Sequence, residues 1–228
     1  MFTDLNDVIP SLTKEGYDIQ DPWDVVDAFE DKIAKFAGSK YAVSVDSCTN
    51  AMFLCLKYLQ AKKNIKLPKK TYLSVPGLVI HAGCKIIFED KEWSGLYPLD
   101  PYPIIDSATR FTENMYVKGT YHCLSFHIRK ILPIGKGGMI LTDDKDAVKW
   151  LKRARYEGRN NRVPHDSIDD IDMIGWNFYM PPEQAARGIE LFNNLPKVNK
   201  DSGGSWKYTD LSNYSAWKDH VDTSKYKK

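Results

Sequence analysis

The sequence predicts an α/β protein in which helices cover both faces of a mostly parallel sheet, giving three layers. Short apolar segments of strand-like composition alternate with segments of helical periodicity, the pattern of repeated β-α units. Glycines and small polar residues separate the two kinds of segment. The 228 residues are enough for one large domain or two small ones with a sizeable core.

The first helix signal follows an acidic N-terminal segment, residues 1–22, of which we expect residues 1–21 to be irregular. Apolar residues recur at three-to-four spacing over residues 23–37. Asp21 is the expected N-cap, Pro22 suits the first helical position, and Gly38 ends the pattern.

The following segments alternate between the two periodicities. The predicted strands are 41–45, 83–90, 104–108, 121–126 and 138–142. The predicted helices are 51–59, 77–82, 144–158 and 183–195. Residues 91–103 are expected to be a connector and residues 158–172 a loop. We therefore expect an α/β domain over residues 23–198 and a polar C-terminal arm or tail over residues 199–228.

Charge and cysteine content narrow the classes of partner. Residues 1–31 carry nine acidic side chains and one basic, whereas the remainder carries 31 basic and 21 acidic. That asymmetry could steer an anionic ligand, although charge runs more often form solvated surfaces without a ligand. The four cysteines lack metal-ligand spacing. The sequence has neither a signal peptide pattern nor a long apolar run, so we expect a cytoplasmic protein without a membrane partner.

One segment has the composition of a cofactor-attachment site. A predicted strand ends at Ser125, a short turn carries Lys130, and a glycine-rich stretch over 135–138 follows. A lysine among apolar residues, beside a hydroxyl and flexible backbone, can bind a carbonyl cofactor covalently.

Two other positions have both a structural and a functional explanation. The turn over residues 47–50 lies between a strand and a helix N-terminus, where free N–H groups and the helix dipole favour an anion. A simple helix cap without a ligand would use the same residues. Asp106 lies toward the C-terminal end of the predicted strand 104–108, where ligands of α/β sheets gather, and it could equally be a cap.

The order of these motifs resembles the DegT/DnrJ/EryC1/StrS family of pyridoxal phosphate (PLP)-dependent sugar aminotransferases, which have fold type I. Residues 125–130 followed by 135–139 are similar to the family's S-F-x-x-x-K and G-E-G-G-M motifs. The other similar segments, in chain order, are 29–43, 47–51, 68–72, 105–108, 155–159 and 175–186.

The resemblance implies a role for several residues. Lys130 would hold PLP covalently and move protons, Asp106 would pair with its pyridine nitrogen, and Tyr72 would stack on its ring. The residues implied at the cofactor's phosphate and ring are Ser125, Cys48, Thr49 and Ala108. Asn177 would reach the phosphate bound by a partner subunit, so the resemblance also implies a homodimer with shared sites.

The implied reaction transfers an amino group from an amino acid, with glutamate expected, to a keto sugar that is expected to be nucleotide-linked. A protein of this fold that binds PLP or a sugar nucleotide without turnover is the alternative. Related sugar dehydratases replace the lysine with histidine, so Lys130 argues against that reaction. The lysine-rich segments lack the interleaved aromatic residues of single-strand platforms, so we expect no nucleic-acid partner.

The chain departs from the family pattern in several places. Residues 91–103 stand where the family has a further strand, helix and strand, and little of its C-terminal small domain is expected after residue 195. The family's usual glutamate is replaced by Lys136 and its usual arginine by Tyr179. Thr109 stands where the family has glutamine or histidine. The expected fold is thus a reduced fold type I large domain.

Overall fold

The computed structural model describes residues 5–164, 166–167 and 171–222. The helices are α1 (Leu5–Lys14), α2 (Pro22–Ala37), α3 (Cys48–Tyr58), α4 (Ser74–His81), α5 (Lys145–Ala154) and α6 (Pro182–Asn193). The strands are β1 (Tyr41–Val45), β2 (Ile65–Pro68), β3 (Ile86–Glu89), β4 (Tyr97–Pro98), β5 (Ile104–Asp106), β6 (Tyr121–Ser125) and β7 (Gly138–Thr142). Three short 3-10 helices follow at Ser205–Lys207, Leu211–Asn213 and Ser215–Trp217.

The main sheet has the strand order β1-β7-β6-β5-β4. Its β5–β6 pair is parallel, and its other three pairs are antiparallel. The sheet is therefore mixed, which corrects the expectation of a mostly parallel one. Two of the three antiparallel pairs follow from direct connections: the link over 126–137 and the turn over 99–103 return the chain to the neighbouring strand without a crossover helix.

A second sheet pairs β2 and β3 in parallel. The sequence pattern did not predict β2 as a strand. The N–H of Lys66 in β2 donates to the carbonyl of Asp100 at 2.8 Å, just beyond β4. Residues 91–103, which we expected to be only a connector, therefore contribute β4 to the main sheet and the Asp100 contact to the second sheet.

Helices lie on both faces, so the reduced α/β fold and its three layers are confirmed. Side chains alternate between the two faces along each strand. On β7, for example, Ile140 packs in the core shared with α3, α4 and α5, whereas Met139 and Leu141 pack in the core shared with α1, α2 and α6. No helix in these described ranges is both long enough and apolar enough to span a bilayer.

The caps of α2 match the sequence prediction. The Asp21 carboxylate accepts the N–H of Trp23 at 2.8 Å, and Asp24 reaches back to the N–H of Asp21, forming a capping box. Gly38 adopts a left-handed conformation with φ of 85°, and its N–H donates to the carbonyl of Ala34 at 2.9 Å.

Other boundaries differ from the predictions. Residues 5–14 form α1, with Val8 and Leu12 buried against the body, so the irregular segment predicted over 1–21 is wrong for these residues. Helix α5 ends at Ala154, before the left-handed Glu157 and Gly158. Residues 1–4 of the predicted irregular segment, residues 165 and 168–170 of the predicted loop, and residues 223–228 of the predicted tail lie outside the described residues.

The C-terminal segment 199–222 runs back across the body. Ser202 and Gly203 bond to Thr109, after β5, and Leu211 donates its N–H to the carbonyl of Lys69 at 2.8 Å. Its far end runs beside β3, where Val221 pairs with Ile86. We call residues 199–222 the return segment; it crosses the sheet near the end of β5.

Candidate active site

Asp106 lies at the carboxyl end of β5 and is almost fully buried, with 5% of its surface exposed. Its carboxylate accepts three hydrogen bonds: Tyr97 Oη donates to Oδ2 at 2.6 Å, the N–H of Ala108 donates to Oδ1 at 2.9 Å, and Cys48 Sγ lies 3.9 Å from Oδ1. Burial raises the pKa of Asp106, and these donors together with the charge of Lys130 act against that rise.

Lys130 lies in the link between β6 and β7, and its side chain is half-buried. Its N–H donates to the carbonyl of His127 at 2.8 Å, which tightens the turn. The positive charge of Lys130 acts on both Asp106 and Cys48, opposing the effect of burial on their pKa values. The fold therefore places the charge of Lys130 near enough to Asp106, 24 residues earlier in the chain, to oppose the rise in the pKa of its carboxyl.

The N-terminus of α3 forms the next wall. Ser47 is its N-cap and accepts the N–H of Asn50 at 3.2 Å, so the N–H groups of Cys48 and Thr49 belong to the helix's first turn. First-turn N–H groups have no carbonyl within their helix to bond, and the helix dipole makes this end positive. The arrangement is one that binds anions.

Gly138 allows the helix end to approach the sheet. A Cβ at this position would lie 2.4 Å from the carbonyl carbon of Ser47 and 2.6 Å from the N of Cys48, so only glycine fits. Gly138 is also the register partner of Ser125 across the β6–β7 pair. The half-buried Ser125 is therefore brought beside the N-terminus of α3.

Lys136, which stands where the family pattern has glutamate, forms an ion pair at this helix end. Its Nζ lies 3.3 Å from Oδ2 of Asp46, the residue before the N-cap. Asp46 also accepts Asn50 Nδ2 at 2.7 Å. The lysine therefore neutralises a carboxylate next to the proposed anion-binding turn.

Tyr72 and the return segment form an aromatic border. Tyr72 is 58% exposed, and its ring makes an edge contact with Tyr208, with centroids 6.5 Å apart. Tyr208 stacks on Trp93 at 5.7 Å, and Trp93 contacts Tyr97 at 4.8 Å. Burial and the nearby Asp106 charge both raise the pKa of Tyr208. The border therefore reaches from the exposed Tyr72 to the neighbourhood of Asp106.

Thr49, Thr109 and Asn177 have other partners here. The hydroxyl of Thr49 is paired with that of Ser74, since Oγ1 and Oγ lie 2.7 Å apart. The group that Thr49 can offer to a ligand is therefore its backbone N–H. The Thr109 hydroxyl faces the carbonyls of Gly95 and Gly203, at 3.1 and 2.9 Å. Asn177 is exposed on the surface, and its Nδ2 donates to Oε1 of Glu157 at 2.6 Å.

Sequence reasoning missed two residues of this site, Tyr97 and Tyr208. Tyr97 lay in a stretch whose three prolines and glycine indicated a connector, although Leu96-Tyr97-Pro98-Leu99 has the apolar content of a short strand. Tyr208 lay in a polar segment without periodicity. The one available signal was the group of aromatic residues in these two otherwise polar stretches.

The residues present fit PLP. The cofactor needs an amine for its aldehyde, a carboxylate for its pyridine nitrogen, and an anion site for its phosphate. Lys130, the buried Asp106 carboxylate and the N-terminus of α3 match these needs in chemical type. The close approach at Gly138 supports the fit, because it places the helix end beside Ser125.

Comparisons with known proteins agree with this chemistry. The model of the DegT/DnrJ/EryC1/StrS aminotransferase family matches residues 15–113 and 109–210. The chain is 24% identical, over 226 positions, to the spore coat polysaccharide biosynthesis protein SpsC of Bacillus subtilis. It is 23% identical, over 216 positions, to a UDP-4-amino-4,6-dideoxy-N-acetyl-beta-L-altrosamine transaminase of Campylobacter jejuni.

These alignments cover 77% and 75% of this chain but 58% and 57% of the two relatives, so the chain spans somewhat more than half their length. Among solved structures, AtS13 from Actinomadura melliaura superposes with a TM-score of 0.68 at 19% identity, covering 83% of this chain and 64% of that one. That likeness confirms the fold. With the family model matching most of its length, the chain belongs to the DegT/DnrJ/EryC1/StrS aminotransferase family.

Proposed function

We propose that the protein is a PLP-dependent aminotransferase that moves an amino group from an amino acid, with glutamate expected, to a nucleotide-linked keto sugar. The observation that carries the proposal is the contact of the buried Asp106 carboxylate with Cys48, the first residue of α3, where the charge of Lys130 acts on both groups. Family membership and the sugar transaminase among the relatives support the reaction class.

Each residue has a role that follows from its surroundings. Lys130 would hold the cofactor through its aldehyde group, and its amine would serve as the base and acid that moves a proton at the substrate carbon. Asp106 would pair with the pyridine nitrogen and keep it protonated, and the cofactor would supply an electron-withdrawing ring when bound. Tyr72 covers one face of the ring, and Ala108, next to Asp106 in the chain, borders it.

The phosphate is held by Ser125 and the first-turn N–H groups of Cys48 and Thr49. These N–H groups carry the positive end of the α3 dipole, which favours a dianion. The substrates we propose are small molecules, and Tyr72, which is 58% exposed, is the residue of the aromatic border that they would meet first.

We also propose a homodimer in which Asn177 reaches the phosphate bound by the partner subunit. Mixing a Lys130→Ala variant with an Asn177→Ala variant tests this, because each mixed dimer then contains one site with both residues intact. Recovered activity on mixing would support the shared site. Full Asn177→Ala activity would contradict it.

The second candidate is a protein that binds PLP or a sugar nucleotide without turnover. The return segment favours this candidate, because Tyr208 contacts Tyr72 and is near enough to Asp106 for its pKa to be affected. A side chain in that position would restrict the space for a substrate beside the cofactor. Incubating the PLP-loaded protein with L-glutamate separates the two functions. Formation of pyridoxamine phosphate and 2-oxoglutarate supports the aminotransferase, and unchanged PLP supports binding alone. The Lys130→Ala variant is the control.

A further inference from the structure

Tyr97 stands directly opposite Asp106 in the antiparallel β4–β5 pair. Cross-strand partners of this kind have neighbouring side chains on the same face of the sheet. The hydroxyl of Tyr97 donates to Oδ2 of Asp106 at 2.6 Å. Only 2% of Tyr97 and 5% of Asp106 are exposed, so water does not compete for this hydrogen bond.

The hydroxyl of Thr71 lies on the other side of the Tyr97 hydroxyl, with the two oxygens 2.5 Å apart. A phenol has one proton, and Tyr97 gives it to Asp106, so Thr71 must be the donor in its own contact. Two hydroxyls in series therefore point their protons toward the carboxylate. The N–H of Ala108 holds the other carboxylate oxygen at 2.9 Å, which fixes the carboxylate's orientation.

The surroundings of Asp106 explain why such a donor is needed. Burial raises the pKa of Asp106, and the hydrogen bond from Tyr97 is the foremost effect that opposes it. Burial and the Asp106 charge raise the pKa of Tyr97 well above its usual value, so the phenol remains a neutral donor. The other titratable groups that act on Asp106 or are acted on by it are Lys130, Cys48, Cys123 and Tyr208.

We propose that Tyr97 is a positioning residue of this site: its hydroxyl, backed by Thr71, keeps Asp106 ionised and oriented toward the ring nitrogen of the cofactor. The identity of that ring rests on the proposed function. A phenylalanine would fill the same core space, so packing alone does not account for the hydroxyl. The strand β4 is only two residues long, and one of them is Tyr97.

The test compares Tyr97→Phe with a matched control, Tyr121→Phe. Tyr121 also donates its hydroxyl to a carboxylate, Asp144 Oδ2, at 2.8 Å, but at the N-cap of α5. The first measurement uses protein without PLP. Infrared spectra recorded across a pH titration, with Asp106→Asn subtracted, give the midpoint at which Asp106 gains its proton.

We expect Tyr97→Phe to lower the acid dissociation constant of Asp106 roughly tenfold, which moves the midpoint to higher pH. The reason is that the charged carboxylate loses a hydrogen bond. Tyr121→Phe should leave the midpoint in place, and Thr71→Val should move it in the same direction by about threefold. The second measurement is a PLP titration, in which Tyr97→Phe should weaken affinity about tenfold, and more so at lower pH.

The two measurements separate the possible failures. If the wild-type protein does not bind PLP but the Asp106 midpoint moves in Tyr97→Phe, the proposed function fails and the role of Tyr97 in holding the carboxylate stands. If the midpoint and the PLP affinity of Tyr97→Phe both equal those of Tyr121→Phe, the positioning role is overturned. Thr71→Val repeats the infrared test if Tyr97→Phe does not fold.

Discussion

Arg110 and Asp201 form a two-point ion pair, with Nε 2.8 Å from Oδ1 and Nη2 2.7 Å from Oδ2. Arg110 follows Asp106 by four residues, and Asp201 lies near the start of the return segment. The pair therefore anchors the segment that carries Tyr208 to the loop that follows the central carboxylate of the site. The hydrogen bond from Arg110 lowers the pKa of Asp201, so the anchor persists at neutral pH.

Asp201→Asn should loosen the return segment. Because the pair is partly exposed, we expect a cost of about 1 kcal/mol, which corresponds to roughly fivefold faster hydrogen exchange over residues 202–211. Mass spectrometry of deuterated peptides measures this. Asp146→Asn, which removes an exposed pair with Lys149, is the control. Equal exchange in the two variants would contradict the anchor.

The buried ion pair between Glu30 and Arg155 should be the most sensitive polar contact of the fold. Arg155 Nη1 binds Glu30 Oε1 and also donates to the carbonyl of Ser44 at 2.6 Å. Arg155→Met leaves the Glu30 charge buried and should destabilise the protein by about 3–5 kcal/mol in a denaturant titration. Lys152→Met, at the more exposed partner of Glu30, should cost less. A larger loss of stability in Lys152→Met than in Arg155→Met would show that the Glu30–Arg155 pair is not the most sensitive polar contact.

The same pair predicts acid sensitivity. Burial alone would raise the pKa of Glu30, but the charges of Arg155 and Lys152 outweigh it and lower the pKa from 4.5 to about 2. The unfolded chain then binds the proton more readily than the folded one, so stability is complete above about pH 4.5 and falls toward pH 2. Comparing wild type with Arg155→Met/Glu30→Met isolates this contribution. Parallel stability curves over that window would contradict it.

His122 should make stability fall at a higher pH. It is fully buried in β6, and neither ring nitrogen has a hydrogen-bond partner among the residues described above. Burial and the charge of Arg110 lower its pKa from 6.5 to about 4. Stability should be complete above about pH 6.5 and decrease by about 3 kcal/mol as the pH falls to 4. His122→Phe should remove that loss. If stability falls as steeply with pH in His122→Phe as in wild type, His122 is not its cause.

Lys136→Glu should weaken binding of the phosphate group. The change restores the family's residue but places a second acid beside Asp46, near the anion-binding turn. Since Lys136 is 71% exposed, we expect only about threefold weaker PLP affinity at low salt, converging with wild type at high salt. Pyridoxal, which lacks the phosphate, should bind both forms equally. A salt-independent loss, or the same loss for pyridoxal, would exclude the electrostatic explanation.

The sequence predicted the parts of the fold that depend on local patterns. The caps of α2, the strand ending at Asp106 and the turn before α3 follow from residue types at fixed spacing. A shared site for Lys130 and Asp106 is a prediction from the resemblance alone, because no local pattern states which loops meet. The orientation of β4 depends on pairing with β5, and the path of the return segment depends on contacts such as Arg110–Asp201. Neither is encoded within a short window of sequence.

Trapping PLP on the protein tests the central claim most directly. The protein of residues 1–228 is incubated with PLP, reduced with borohydride, digested and analysed by mass spectrometry, with Lys130→Ala and Asp106→Asn as comparisons. We predict a single dominant phosphopyridoxyl adduct on Lys130, absent from Lys130→Ala and reduced in Asp106→Asn. No adduct in wild type, or one spread over surface lysines and unchanged in Lys130→Ala, would contradict the assignment of Lys130 as the cofactor lysine.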